Sequence, residues 1–150
     1  MSTLVTPDLV DLNLAAADRA AATRSLAERL AAAGRLTDLE GFLADVAARE
    51  AQMPTGLEGG IGIPHARSRH VTAPSVAFAR APGGVDFGAS DGPAQLIFLI
   101  AAPDGGDSEH MTILAALARR LVHASFREAL LGAADPADAA GLITREVSGA

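Results

Sequence analysis

Two histidines stand where the chain can stage imidazole chemistry. His65 closes the stretch Gly59-Gly60-Ile61-Gly62-Ile63-Pro64-His65-Ala66. Alternating Ile61 and Ile63 predict a short strand with one buried face, and the glycines allow backbone to pack closely around it. Pro64 has no N–H and holds Ile63 extended, so regular pairing should end there. His65 is therefore expected just past a strand end, on a constrained backbone, beside small residues that leave room for a group from outside. His110 follows a long apolar run, Leu96 to Ala102, and opens a predicted helix. The two rings can converge, and a neutral imidazole carries both a lone pair and a donor N–H.

The helix gives His110 its direction. With Asp107 as N-cap, His110 is the third helical residue, and it shares one face with Leu114, Leu117 and Leu121. It then points towards the core at the helix end that carries partial positive charge, which favours the neutral ring. Taken alone, His110 reads more simply as a half-buried histidine bonded to a carbonyl, and His65 as a strand-end histidine satisfied by a neighbouring loop. The density of glycine before His65 argues for more, since glycine is costly unless close approach is needed. Arg49 lies four residues after Asp45 on a predicted helix, the spacing of an exposed ion pair. His70, near Arg67 and Arg69 in a predicted solvated loop, and His123, near a helix end, read as structural or surface residues.

Other chemistries fit less well. His65 and His70 have no compact partner pair of the kind a metal needs. Gly106-Asp107-Ser108 sits close to His110, but a nucleophile and base two residues apart at one helix start face different ways. The glycine-rich segment 56–62 lacks the Lys and Ser/Thr of a phosphate-binding P-loop and precedes a strand.

The elements that must position these residues alternate between strand and helix. Val10, Leu12 and Leu14 predict a first strand. A helix follows from Asp18 with the stripe Ala22, Leu26, Leu30 and a stop at Gly34. Thr37 and Glu40 form a capping-box pattern for a second helix, with Phe42, Leu43 and Val46 inward and an end near 49–52. Strands are predicted at 61–63, within 71–81 and over 96–102, with Pro82-Gly83-Gly84 and Asp91-Gly92-Pro93 as turns. A helix from Asp107 and two shorter ones, 126–131 and 136–143, complete the chain.

Composition sets the bounds. At 150 residues the chain reads as one domain spanning 1–150, with 49% hydrophobic and only 3% aromatic residues, so its core must be aliphatic with five Phe. The absence of Cys removes disulfides, thiolate metal sites and cysteine nucleophiles, and fits a reducing cytoplasm. A net charge of −6 disfavours nucleic acid as a partner. All 12 basic residues are Arg, which with abundant Ala and Gly suggests a GC-rich genome. No export or membrane segment is recognisable, because the run 96–102 is far shorter than the roughly 20 residues of a bilayer span.

Arg49-Glu50-Ala51-Gln52, Thr55-Gly56 and Gly60-Ile61-Gly62-Ile63-Pro64-His65-Ala66 together resemble the signature of fructose/mannitol-type enzyme IIA domains of the bacterial phosphoenolpyruvate-dependent sugar phosphotransferase system. Leu96 to Pro103, His110 and Ile113 to Ala118 resemble the same family, with Met111 where Leu is more usual. The resemblance runs from about Val10 to Ile143. It implies a mixed α/β sheet of roughly five strands with helices on both faces. It implies phosphoryl relay: His65 takes the group from phosphohistidine on HPr and passes it to a cysteine on a IIB domain, for sugar uptake through the membrane IIC permease. His110 would offer an N–H and Arg49 would stabilise phosphoryl oxygens, with Thr55 and amides near Gly59-Gly60 as further donors. No cofactor or metal is implied, since the donor is already an activated P–N bond. Ile61, Ile63 and Met53 would line the docking surface, and Asp104, Asp107 and Glu109 would steer basic partners. The block from Ile100 to His110 resembles fructose-type transport members more than the nitrogen-related paralogues, which use the same histidine as a regulatory mark.

Overall fold

The structure, a computed structural model, describes residues 4–104, 109–121 and 123–148. After a short 3₁₀ turn at Pro7–Leu9, the elements are β1 (Val10–Asp11), α1 (Arg19–Ala32), α2 (Leu39–Gln52), β2 (Gly56–Leu57), β3 (Ile61–Gly62) and β4 (His65–Ser68). They continue as β5 (Ser75–Val85), β6 (Ala94–Pro103), α3 (Glu109–Leu121), α4 (Ala124–Leu131) and α5 (Pro136–Ser148). The strands make one mixed sheet in the order β1-β5-β6-β3-β2, with β4 also on β6. β5 is antiparallel to β6, while β3 and β4 run parallel to it.

Residues 75–79 and 96–102 are buried without alternation, which requires both sheet faces to be covered. α1 packs on β5, α2 on α1 and β4, and α3, α4 and α5 form a second group over β6 and β1. At the centre Phe78 faces Phe98 across the strand pair, ring centroids 4.9 Å apart. The expected α/β architecture, mixed with helices on both faces, is what the chain adopts. The strand count is six because Pro64 divides one run. Ile61 pairs with Leu96 and Gly62 with Ile97, then His65 with Ile100 and Ser68 with Pro103, so the ladder resumes in an unchanged register.

Local signals hold with several corrections. Asp18 caps α1 by accepting from the Ala21 N–H at 2.8 Å, Ala22, Leu26 and Leu30 are fully buried, and Gly34 (φ 78°) follows the helix end. The cap of α2 is Asp38, not Thr37: the Gly41 N–H reaches Asp38 Oδ1 at 3.1 Å. Glu40 instead accepts two bonds from Arg24, which hold its carboxyl below the usual range and tie α1 to α2. The first strand shortens to two residues, although Val10, Leu12 and Leu14 are all buried as their alternation predicts. Pro82-Gly83-Gly84 is no turn. It is a bulge within β5, between Arg80 paired to Leu96 and Val85 paired to Ala94, and Pro82 is tolerated there because a bulge needs no ladder N–H. The predicted cap at Asp107 lies outside the described residues.

Gly62 has no room for a side chain. A Cβ there would sit 2.7 Å from the ring of Phe87, itself buried in the core. Gly62→Ala should therefore lower the unfolding free energy by about 1–3 kcal/mol, the usual range for overpacking, measured by urea denaturation.

Candidate functional site

His65 opens β4 rather than trailing a strand end, since pairing resumes immediately after Pro64. A turn through Glu58, Gly59 and Gly60 leads into this region, with Gly59 and Gly60 at positive φ, 99° and 77°, backbone that favours glycine. Along β4 the burial alternates, with Ala66 and Ser68 buried and His65 and Arg67 more open. Ser68 Oγ donates to Asp45 Oδ2 on α2 at 2.6 Å, so the even positions face α2. The period of two then turns His65 to the opposite side, towards the layer of α3.

The half-buried ring is anchored. His65 Nδ1 lies 2.9 Å from the carbonyl oxygen of Ile63. A carbonyl only accepts, so Nδ1 carries the proton and, in the neutral ring, Nε2 carries the lone pair. The strand and Pro64 fix the backbone on either side of that bond. This arrangement defines a histidine whose Nε2 is set up as nucleophile or acceptor.

His110 lies in the first turn of α3, a helix that packs on β6. The topology thus places His110 on a helix of the layer that His65 faces. Leu117 and Leu121, on the predicted stripe with it, are buried. Arg49 occupies the last turn of α2, and its Nη1 donates to the Met53 carbonyl at 3.2 Å. The expected Asp45–Arg49 ion pair is replaced, because Asp45 is taken by Ser68 and Arg49 by the open carbonyl end of its own helix. None of the hydrogen bonds among the described residues joins Arg49 to His65.

The further donors are already engaged. Thr55 is buried, and both its N–H and its hydroxyl donate to Glu50, at 2.8 and 2.7 Å. The Gly59 N–H is held by Asp91 Oδ2 at 2.9 Å. Ile61, at 1% exposure, belongs to the core and cannot line a docking surface, whereas Met53 (64%) and Leu57 (38%) are open and Ile63 is half-buried. Nothing in the sequence pattern marks Leu57 as surface. His70 is half-buried against α2, its ring beside Gly41. A cavity of about 570 Å³ between α1 and α2, lined by Arg19, Thr23, Leu43, Ala47 and Glu50, contains no histidine. Among the described residues no cluster of three or more His, Cys, Asp or Glu could hold a metal.

The mixed sheet of six strands with helices on both faces is the fold this chain shares with solved phosphotransferase-system IIA proteins. The family described as phosphoenolpyruvate-dependent sugar phosphotransferase system, EIIA 2, matches residues 3–146, and the chain belongs to it. The fructose-specific EIIA component of Haloferax volcanii is 41% identical over 134 residues, covering 89% of this chain and 87% of that protein. A fructose-specific EIIABC component of Bacillus subtilis is 35% identical over 131 residues, 87% of this chain and only 21% of that longer protein. Among solved structures, the nitrogen regulatory protein IIA-Ntr of Neisseria meningitidis superposes with a TM-score of 0.85 at 26% identity, covering 93% and 96% of the two chains. Escherichia coli enzyme IIA-mannitol, solved in complex with phosphorylated IIB-mannitol, gives 0.78 at 25% identity and covers 98% and 100%. The chain is thus a phosphoryl-relay component of this system.

Proposed function

We propose that His65 Nε2 accepts a phosphoryl group from phosphohistidine on HPr and delivers it to a cysteine of a IIB domain, with fructose as the transported sugar. The observation that carries this reading is the bond from Nδ1 to the Ile63 carbonyl, which leaves Nε2 as the ring's lone pair. The donor P–N bond breaks as the new bond to Nε2 forms, and the donor imidazole leaves with the electron pair. The His65 ring gains positive charge in that step, which strengthens its Nδ1–H bond to the carbonyl. In the second step the IIB thiolate attacks phosphorus and His65 returns as a neutral imidazole. Transfer of this kind runs in line through a loose transition state whose oxygens need donors, the role assigned to His110 and Arg49. A partner protein, not a deep pocket, excludes water, so the α1–α2 cavity has no part in it.

Fructose is supported by the names of the relatives, and IIB as acceptor by the mannitol complex. The membrane IIC permease enters only indirectly, as the final donor's partner. The relay reading places the protein in the cytoplasm, beside its donor. No helix among the described residues is long and apolar enough to cross a membrane. The resemblance to IIA-Ntr favours a second reading, in which the phosphorylated state is read by a regulatory partner.

Adding the fructose-type IIB domain of the same genome separates the two. The transport reading expects phosphorylated protein to lose its label within seconds to minutes. If Asp104, Asp107 and Glu109 steer the donor as the sequence suggests, relay from HPr should also slow as salt rises. A phosphorylated form stable against IIB, yet binding a regulator only when phosphorylated, would overturn transport in favour of regulation.

A further inference from the structure

We propose that Glu50 is a positioning residue for His65, acting through Thr55 and Ile63 to hold the ring in the tautomer that keeps Nε2 free. The inference rests on the relay reading for its consequence in rate, and on geometry alone for its effect on the ring.

Glu50 sits in the last turn of α2, where a carboxylate opposes the negative end of the helix dipole. Helix stability gives no reason for it there. Its side chain is only 11% exposed, and both oxygens are occupied. Oε2 accepts from Arg19 Nη1 at 3.1 Å and from the Thr55 N–H at 2.8 Å, and Oε1 accepts from the Thr55 hydroxyl at 2.7 Å. Thr55 is thereby gripped at two points. Its carbonyl accepts the Ile63 N–H at 3.1 Å, and the Ile63 carbonyl accepts from His65 Nδ1 at 2.9 Å.

Pro64 makes this chain stiff. It confines Ile63 to extended backbone, so fixing the Ile63 N–H also fixes the direction of its carbonyl. The next residue after Thr55, Gly56, donates its N–H to the Phe87 carbonyl at 3.0 Å and has no space for a Cβ, which closes the other side of the clamp. An unbroken line of hydrogen bonds therefore runs from Arg19 on α1 through Glu50 on α2 to the ring of His65. Loosening Thr55 frees the Ile63 carbonyl to turn, and the ring can then protonate at Nε2, which removes the lone pair that must attack phosphorus.

The test uses the full chain with Glu50→Gln, Thr55→Val and Thr55→Ser. Val keeps the shape of Thr without its hydroxyl, and Ser restores the hydroxyl, so folding and hydrogen bonding are separated. Ring ¹⁵N shifts of His65 by NMR report the tautomer, and single-turnover transfer from phosphorylated HPr reports the rate. The wild type and Thr55→Ser should show the Nδ1–H tautomer. Glu50→Gln and Thr55→Val should show a mixture, with transfer slowed roughly 10- to 100-fold at unchanged KM for HPr. An unchanged tautomer in both variants overturns the proposal, whether or not the rate falls, because Glu50 is then only a structural clip. Failure of the wild type to take phosphate at His65 would instead sink the relay reading, and the tautomer measurement would still decide the role of Glu50.

Discussion

His65→Ala should take up no acid-labile phosphate when incubated with phosphoenolpyruvate, enzyme I and HPr, while His70→Ala and His123→Ala label as the wild type does. The contrast follows from where each ring sits. Of these three, His65 alone combines a half-buried ring, an Nδ1 held at 2.9 Å by a carbonyl and a strand-fixed backbone. His70 is packed beside Gly41, in the layer opposite the one His65 faces, and its backbone is used by Thr37. His123 is exposed at the start of α4, its carbonyl accepting from the Phe126 N–H, and its side chain makes no bond to the helix it precedes. Removing the attacking atom leaves nothing to accept the group, so the expected loss is complete. Phosphate mapped by mass spectrometry to another residue, or persisting in His65→Ala, would refute the assignment. A His65→Ala protein that labels normally cannot be explained by misfolding.

Much of this is legible in the sequence because the strongest local signals are also the ones that position His65. Pro64 marks the break in pairing, and the apolar runs mark the covered strands. Sequence cannot show that the ladder resumes at His65 in the same register, since that depends on β6, a partner far along the chain. Nor can it show that Pro82 lies inside a strand, because the bulge exists only relative to Ala94 and Leu96 across from it. Thr37 and Asp38 are both competent caps, and Asp38 takes the role because the Thr37 hydroxyl and N–H are both turned to the His70 carbonyl, at 3.3 and 2.8 Å. Glu50 does not stand out as a site residue from its spacing, yet it carries a physical flag. A carboxylate in the last turn of a helix, five residues before a Thr, is unfavourable unless several donors meet it. Ile61 reads as a surface candidate because alternation identifies a buried face but cannot say that the whole strand end is enclosed.

The second large effect concerns His110 and Arg49. Substituting either by Ala should slow relay by roughly 10²–10³, the cost of one lost donor to a developing oxyanion, about 2.7–4 kcal/mol. The two should differ in their side effects. Arg49→Ala gives up the bond to the Met53 carbonyl, worth about 1 kcal/mol, and so should lower the melting point only modestly. It should be slow both in accepting and in donating the group, because it removes positive charge needed in each direction. Arg49→Lys restores the charge but not the planar fork, and should recover only part of the rate. His110→Ala should still fold, since the apolar face of α3 is carried by Leu117 and Leu121. It should accept phosphate slowly and pass it on poorly. Rapid-quench transfer rates set beside thermal melts decide the matter. A variant that relays at the wild-type rate while its melting point falls sharply would show that the residue serves the fold alone, and a phosphoryl group at His65 would then need another donor.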